Sequence, residues 1–301
     1  MKICFMATPD IALPTLQALI DNHTVTCVVT QPDKPVGRGK KMTSPPVKVL
    51  AESYNIPVLQ PEKAKSSVFF DVLKTYEFDI IVVIAYGQIL PKTILDMAKH
   101  GAINIHGSLL PKYRGAGPIQ WAIINGEKTT GVTIMQMNEG MDTGDIILKR
   151  EIQISNHTSG HMFKEMAVVG AEALIEAISQ IENGTATRTP QDETQGTHAP
   201  MLTKEMGLIS WNKTSQEIIN LINGLNPWPV AYMISGQNTI KIYKAATVAT
   251  ESNDKPGTII NQDTKTGIVI KTADGALALT EIQVKGGKRM PSTEFLKGNE
   301  I

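Results

Sequence analysis

Asp79-Ile80-Ile81-Val82-Val83-Ile84 is an unbroken run of β-branched apolar residues behind a single carboxylate. A strand with one wet face alternates apolar and polar side chains. A run without alternation is a strand covered on both faces, as in a parallel sheet between helical layers. Working outward, Lys2-Ile3-Cys4-Phe5-Met6-Ala7, residues 24–30 and residues 102–105 read as further strands of the same kind. Helical spacing lies between them. Asp10 can cap a helix carrying Leu13, Leu16, Leu19 and Ile20, and Pro45-Pro46 opens a helix-like stretch over 46–54. This alternation predicts a doubly wound, Rossmann-like α/β domain. The turn after the first strand, Ala7-Thr8-Pro9-Asp10, lacks the glycines that let a backbone approach a pyrophosphate, which argues against a nicotinamide-dinucleotide enzyme.

Further along, residues 131–137 and 146–154 read as strands. Residues 160–182 form a long amphipathic helix with Met162, Met166, Val169, Ala173, Leu174, Ala177, Ile178 and Ile181 on its apolar side. Asn183-Gly184 ends it. The Thr/Gln/Gly/Pro-rich stretch that follows reads as a linker. The last hundred residues change character. A helix over 215–222 and the rigid turn Asn226-Pro227-Trp228-Pro229 precede short strands at 239–243, 257–261, 267–271 and 276–284. The expected organisation is an α/β domain over 1–184, a linker over 185–206, and a smaller all-β domain, an OB-like barrel, over 207–301.

Composition narrows the class. Charged residues make up 19% and hydrophobic residues 42%, enough for packed cores, and no run of apolar residues is long enough to span a bilayer. The apolar start of the chain ends at Pro9-Asp10 and reads as a strand, not a signal peptide. Cys4 and Cys27 lie in apolar strands, as buried thiols of a cytoplasmic protein do. The formal net charge is zero. Residues 207–301 nevertheless hold 10 Lys+Arg against 8 Asp+Glu, and Lys34, Arg38, Lys40, Lys41 and Lys48 follow one another with no acidic residue between them.

The densest chemistry is Asn104-Ile105-His106-Gly107-Ser108-Leu109-Leu110-Pro111-Lys112-Tyr113-Arg114-Gly115-Ala116-Gly117-Pro118. It starts at the C-terminal end of a strand, where open α/β sheets bind ligands. Alternation puts Asn104 and His106 on one side. A lone histidine is more often structural, but one beside Asn, at a strand end and ahead of a glycine-rich loop, reads as a site. Gly140-Met141-Asp142-Thr143-Gly144-Asp145 is on its own an ordinary hairpin turn. It could also bring Asp142 to His106, where a carboxylate favours the imidazolium and the pair can stabilise an oxyanion and move a proton. His157 and His161 have i,i+4 spacing, but without further ligands no metal site is expected. There is no Gly-x-Ser-x-Gly elbow, so a covalent nucleophile is not expected either. The loop Gln31-Pro32-Asp33-Lys34-Pro35-Val36-Gly37-Arg38-Gly39-Lys40-Lys41 leaves a strand at the same sheet edge, and its cations suit a phosphate-bearing substrate.

Asn104 to Pro111 with Tyr113-Arg114-Gly115, and Gly140-Met141-Asp142-Thr143-Gly144, resemble the paired signature of the 10-formyltetrahydrofolate-dependent formyltransferases. The resemblance implies a catalytic trio of Asn104, His106 and Asp142, and a folate site lined by Ser108, Leu109, Leu110 and Pro111. Acceptors in that family include glycinamide ribonucleotide, amino sugars and initiator methionyl-tRNA. Three stretches are similar to the tRNA-acting branch: Thr30-Gln31-Pro32-Asp33 with Gly37 to Lys41, Gly131 to Met137, and Gly286-Gly287-Lys288-Arg289-Met290-Pro291 with Phe295 to Gly298. They imply tRNA contact through Lys34, Arg38, Lys40 and Lys41 and a tRNA-binding C-terminal domain. The chain shows no obvious association motif, so a cytoplasmic monomer without a metal is expected. A folate-dependent amino-sugar enzyme would not need the basic loop. A non-enzymatic RNA-binding protein would not need the trio.

Overall fold

A computed structural model of the chain describes residues 1–37 and 39–301. In chain order the first part comprises β1 (Lys2–Ala7), α1 (Leu13–Asn22), β2 (Thr24–Val29), a hairpin of β3 (Lys34–Val36) and β4 (Lys41–Thr43), α2 (Pro46–Ser53), β5 (Val58–Leu59), α3 (Ser67–Leu73), β6 (Ile80–Ile84), α4 (Lys92–Leu95) and β7 (Ala102–His106). Then come α5 (Pro118–Ile124), β8 (Thr129–Gln136), β9 (Ile146–Gln153) and α6 (Ser159–Glu182). Seven strands make one sheet in the order β5-β2-β1-β6-β7-β8-β9. β6, the apolar run, is its middle strand and is buried along its whole length, because sheet neighbours flank it and side chains cover both its faces.

The ladders from β5 to β7 are parallel, with Val82 opposite Phe5 on one side and Ile103 on the other. β8 then runs antiparallel to β7, pairing His106 with Thr133 and Asn104 with Met135. The sheet is therefore doubly wound but mixed. Reversal sends β7 out of the sheet into the His106 loop just where β8 enters, so a long loop can stand over that edge.

The chain resolves into two compact units. One comprises Met1–Gly115, Thr130–Ile152 and Phe163–His198. A cluster in its core joins Met6, Val29, Phe69, Leu73, Ile81, Val83, Ile94 and Leu95. Cys4 and Cys27 sit opposite each other across β1 and β2, both free and fully buried. Burial pushes the Cys4 thiol well up, with the neighbouring Cys27 adding to it, so Cys4 is not a ready nucleophile.

The other unit comprises Ala116–Thr129, Gln153–Met162 and Ala199–Ile301. It holds α7 (Ser215–Gly224), β10 (Ala231–Ser235), β11 (Asn238–Val248), β12 (Ile259–Asp263), β13 (Gly267–Lys271), β14 (Ala276–Val284), β15 (Met290–Pro291) and α8 (Ser292–Phe295). Its sheet runs β10-β11-β14-β13-β12, with β15 added on β14, and every ladder is antiparallel. Ile218, Ile222, Ile240, Ile242, Ile268, Ile270, Leu277 and Leu279 fill its core. Among the described residues no helix is long and apolar enough to cross a membrane.

Candidate active site

β7 delivers Asn104 and His106 to the C-terminal edge of the sheet, on the same face, as a two-residue period requires. His106 is buried, and its Nε2 lies 2.9 Å from the carbonyl oxygen of Tyr113. A carbonyl can only accept, so Nε2 carries the proton. That leaves Nδ1 as the ring atom available for chemistry. Nδ1 faces Asp142 Oδ2 at 3.6 Å, within ion-pair reach but too long for a direct hydrogen bond. The same carboxylate oxygen accepts from the backbone N–H of Gly115 at 2.8 Å. Asp142 is thus aimed by the loop that also orients His106. The amide of Asn104 makes no hydrogen bond among the described residues and is half-buried beside the pair.

The loop 107–115 is rigid for identifiable reasons. Thr133, opposite His106, donates to the carbonyl of Ser108 at 2.6 Å and accepts from Leu110 N–H at 3.1 Å. Ser108 is buried, and its hydroxyl donates to the Lys112 carbonyl at 2.6 Å. Of the four residues expected to line a folate site, Ser108 and Leu110 are enclosed and shape the loop from behind, while Leu109 and Pro111 keep exposed surface. The sequence reading did not single out the loop after β6. Val83 pairs with Asn104, so the residues following Ile84 emerge beside His106. There Ala85 and Gly87 take positive φ, and Ile89 is 80% exposed. Met141, next to Asp142, is 59% exposed. Exposed apolar side chains on the loops after β6 and before β9 are what a flat ring system needs for its apolar faces. The signal was available: Ala85-Tyr86-Gly87 directly follows the decisive strand.

Opposite the sheet edge that carries His106, a cavity of about 630 Å³ is lined by Lys2, Phe70, Lys74, Tyr76, Glu77 and Asp96, among others. Its charges are already paired, Lys2 with Glu77 and Asp96 with Lys92, and Lys74 covers the Phe70 ring. It holds no group placed for acyl transfer.

The basic segment is an ordered antiparallel hairpin, not an irregular loop, with Lys34 opposite Thr43 and Val36 opposite Lys41. Lys34, Lys40 and Lys41 are exposed, and Lys40 sits at φ 46° in the turn. Arg38 lies outside the described residues. Lys48 is not a free cation, because its ammonium lies 3.1 Å from Asp33 and 2.9 Å from Gln60 Oε1. Asp33 also accepts from Gln60 Nε2 and Ser44, and these bonds, Gln60 foremost, hold its carboxyl below the usual carboxylate range. The root of the hairpin is therefore clamped while its lysines face water.

His157 and His161 stack, with ring centroids 3.8 Å apart. Glu165 follows one turn along α6, so the local set of ligand-type side chains is larger than the histidine pair read from spacing.

Comparison with known proteins decides the family. A model described as formyl transferase matches residues 1–178, and one described as formyl transferase, C-terminal domain, matches residues 201–300. The chain belongs to the formyl transferase family. Within this family it is 50% identical over 303 residues to the methionyl-tRNA formyltransferase of Clostridioides difficile strain 630, covering 100% of this chain and 98% of that one. It is 46% identical over 305 residues to the methionyl-tRNA formyltransferase of Ruminiclostridium cellulolyticum, covering 100% and 97%. Two solved structures share the formyl transferase fold. HypX from Aquifex aeolicus in complex with tetrahydrofolic acid has a TM-score of 0.66 at 20% identity, over 99% of this chain and 48% of that one. The N-formyltransferase from Helicobacter canadensis in complex with folinic acid and dTDP-3-aminofucose has a TM-score of 0.67 at 21% identity, over 96% and 100%.

Proposed function

We propose that this formyltransferase moves the formyl group of 10-formyltetrahydrofolate onto the amine of methionine carried by initiator tRNA, in the cytoplasm. The observation that carries the chemistry is the aimed pair of His106 Nδ1 and Asp142 Oδ2, with Asn104 on the same face of β7 as His106. The folate supplies an activated formyl carbon. The residues fit it: exposed apolar side chains of Ile89 and Met141, half-buried Leu109 and Pro111, and the polar side chains of Asn104, His106 and Asp142.

In this reading the methionine nitrogen bonds to the formyl carbon, the bond from that carbon to the folate nitrogen breaks, and the amine proton ends on the folate nitrogen. Asn104 and protonated His106, through Nδ1, donate to the formyl oxygen as negative charge develops there. Preorganised donors of this kind contribute about 3–4 kcal/mol each. Asp142 holds the proton inventory: it supports charge on His106 and takes the amine proton, then returns it. Lys34, Arg38, Lys40 and Lys41 meet acceptor phosphates, which favours the tRNA over a nucleotide-sugar acceptor.

The test is formyl transfer to methionine-charged initiator tRNA. His106→Ala and Asp142→Asn should each lower kcat about 10²- to 10⁴-fold without unfolding the chain. Lys40→Gln with Lys41→Gln should raise KM for tRNA and flatten its salt dependence, with kcat little changed. Near-wild-type turnover in either site variant would remove the mechanism. Transfer to an amino sugar but not to tRNA would replace the acceptor.

A further inference from the structure

The stretch from Thr189 to His198, which composition marks as a connector, is hydrogen-bonded to both loops of the site. Thr189 exchanges two backbone bonds with Ile146, at 2.8 and 2.9 Å. Gln191 Nε2 donates to the carbonyls of Asp142 and Gly144 at 2.8 and 2.7 Å. Its Oε1 accepts from Arg114 Nε and Nη2 at 3.1 and 2.8 Å. All four hydrogen-bonding positions of this one amide are filled, and its orientation is unambiguous, since carbonyls demand its nitrogen and the guanidinium its oxygen. Arg114 is held further by Glu193, at 2.7 and 2.9 Å. At the far end, Thr197 Oγ1 accepts from Tyr113 N–H and its carbonyl accepts from Arg114 N–H, both at 2.8 Å.

Tyr113 and Asp142 have φ of 60° and 55°, a left-handed conformation that a side chain disfavours and that persists only where surroundings enforce it. These are the two residues on which the pair depends: Tyr113 carries the carbonyl that orients His106, and Asp142 carries the carboxylate. The segment binds the backbone of each, through Thr197 at Tyr113 N–H and through Gln191 at the Asp142 carbonyl.

We infer that the segment Thr189–His198 is a strap that sets the distance between His106 and Asp142, with Gln191 as its main positioning residue. This rests on the catalytic assignment of that pair. Gln191 touches neither reacting atom. It acts by fixing the backbone that carries Asp142 relative to the backbone that carries Arg114 and Tyr113. Misplacement of a reacting group by about 1 Å lowers turnover on the order of 100-fold, so a side chain outside the site can control kcat.

The test uses the full chain with Gln191→Glu and, separately, Thr197→Val. Gln191→Glu keeps the volume and the Arg114 contact but sets a carboxylate oxygen against two carbonyls. Expected are a fall in kcat of about 10- to 100-fold, KM for tRNA and folate within about threefold, and little change in Tm. In the Asp142→Asn background Gln191→Glu should add no further loss, because the group it positions is already disabled. NMR titration of the His106 ring supplies a readout that needs no acceptor, and both strap variants should shift it. Unchanged kcat and an unchanged titration in both variants would overturn the strap. So would losses that merely follow the fraction unfolded. A wild type inactive on tRNA whose His106 titration still moves in Gln191→Glu would retire the acceptor and keep the strap.

Discussion

Asp142 reaches His106 because Gly144 allows the chain to double back. A Cβ at Gly144 would run into the carbonyl oxygen of Gln136, a backbone atom with no room to yield. A Cβ at Gly140 would meet the hydroxyl of Thr143, which can rotate away. We therefore expect Gly144→Ala to destabilise by about 1–3 kcal/mol and to lower formyl transfer with it, while Gly140→Ala stays close to wild type in Tm and in turnover. Equal tolerance at both positions would mean that the turn is not set by backbone contact. At this scale the approach of Asp142 to His106 was legible. Asn104 and His106 share a face by the period of two, and a glycine-bracketed acid is a recognisable partner. Gln191 was not legible, because a glutamine in a Thr/Gly/Pro-rich stretch gives no local sign of four long-range bonds.

Elements follow from local chemistry where that chemistry is complete. α7 begins at Thr214, whose hydroxyl accepts from Glu217 N–H at 3.2 Å, while the Glu217 carboxylate accepts from Thr214 N–H at 2.9 Å, a reciprocal cap. Lys213, then Thr214, hold the Glu217 carboxyl down to about 2, against an ordinary 4.5. A carboxyl with a depressed folded value binds its proton more readily in the unfolded chain. Its stabilising contribution is complete above about 4.5 and disappears as pH falls through about 2. Glu217→Gln should thus have a lower urea midpoint than wild type at pH 7, and the gap should narrow steadily from pH 4.5 to 2. A gap independent of pH would mean that the cap works without the charge. The 215–222 helix was readable from its sequence, as was β6 from its unbroken apolar run. The β3–β4 hairpin was not, since Pro35 and a cluster of lysines read as irregular chain. Its order comes from Asp33, Ser44, Lys48 and Gln60, residues spread over three separate segments.

For the whole molecule, the boundary suggested by composition near residue 206 is not where packing divides. Ala116–Thr129 and Gln153–Met162 belong with Ala199–Ile301, so the second unit is assembled from three pieces of chain. Within it α5 lies against α7. A Cβ at Gly224 would come within 2.5 Å of Ile124 Cγ1 and 3.0 Å of the Gln120 carbonyl, and one at Gly126 within 2.8 Å of Asn220 Nδ2. Such close approach favours glycine at 224, since a side chain there would have to displace Ile124, and makes α7 the cover for one face of α5. Hydrophobic patterning cannot reveal this, because it reports that a face is buried and not which distant segment buries it. A fragment ending at residue 206 would retain the whole Asn104, His106 and Asp142 site but lose α7, leaving Ile124 and its neighbours uncovered. We expect that fragment to bind a hydrophobic dye, to melt well below the full chain and to associate at micromolar concentration. Extending it to residue 224 would restore α7 without the β-sheet that buries Ile218 and Ile222, and so should not rescue it. A monomeric 1–206 fragment that melts with the full chain would show instead that α5 needs no cover, and that the two units fold independently of the chain's threading between them.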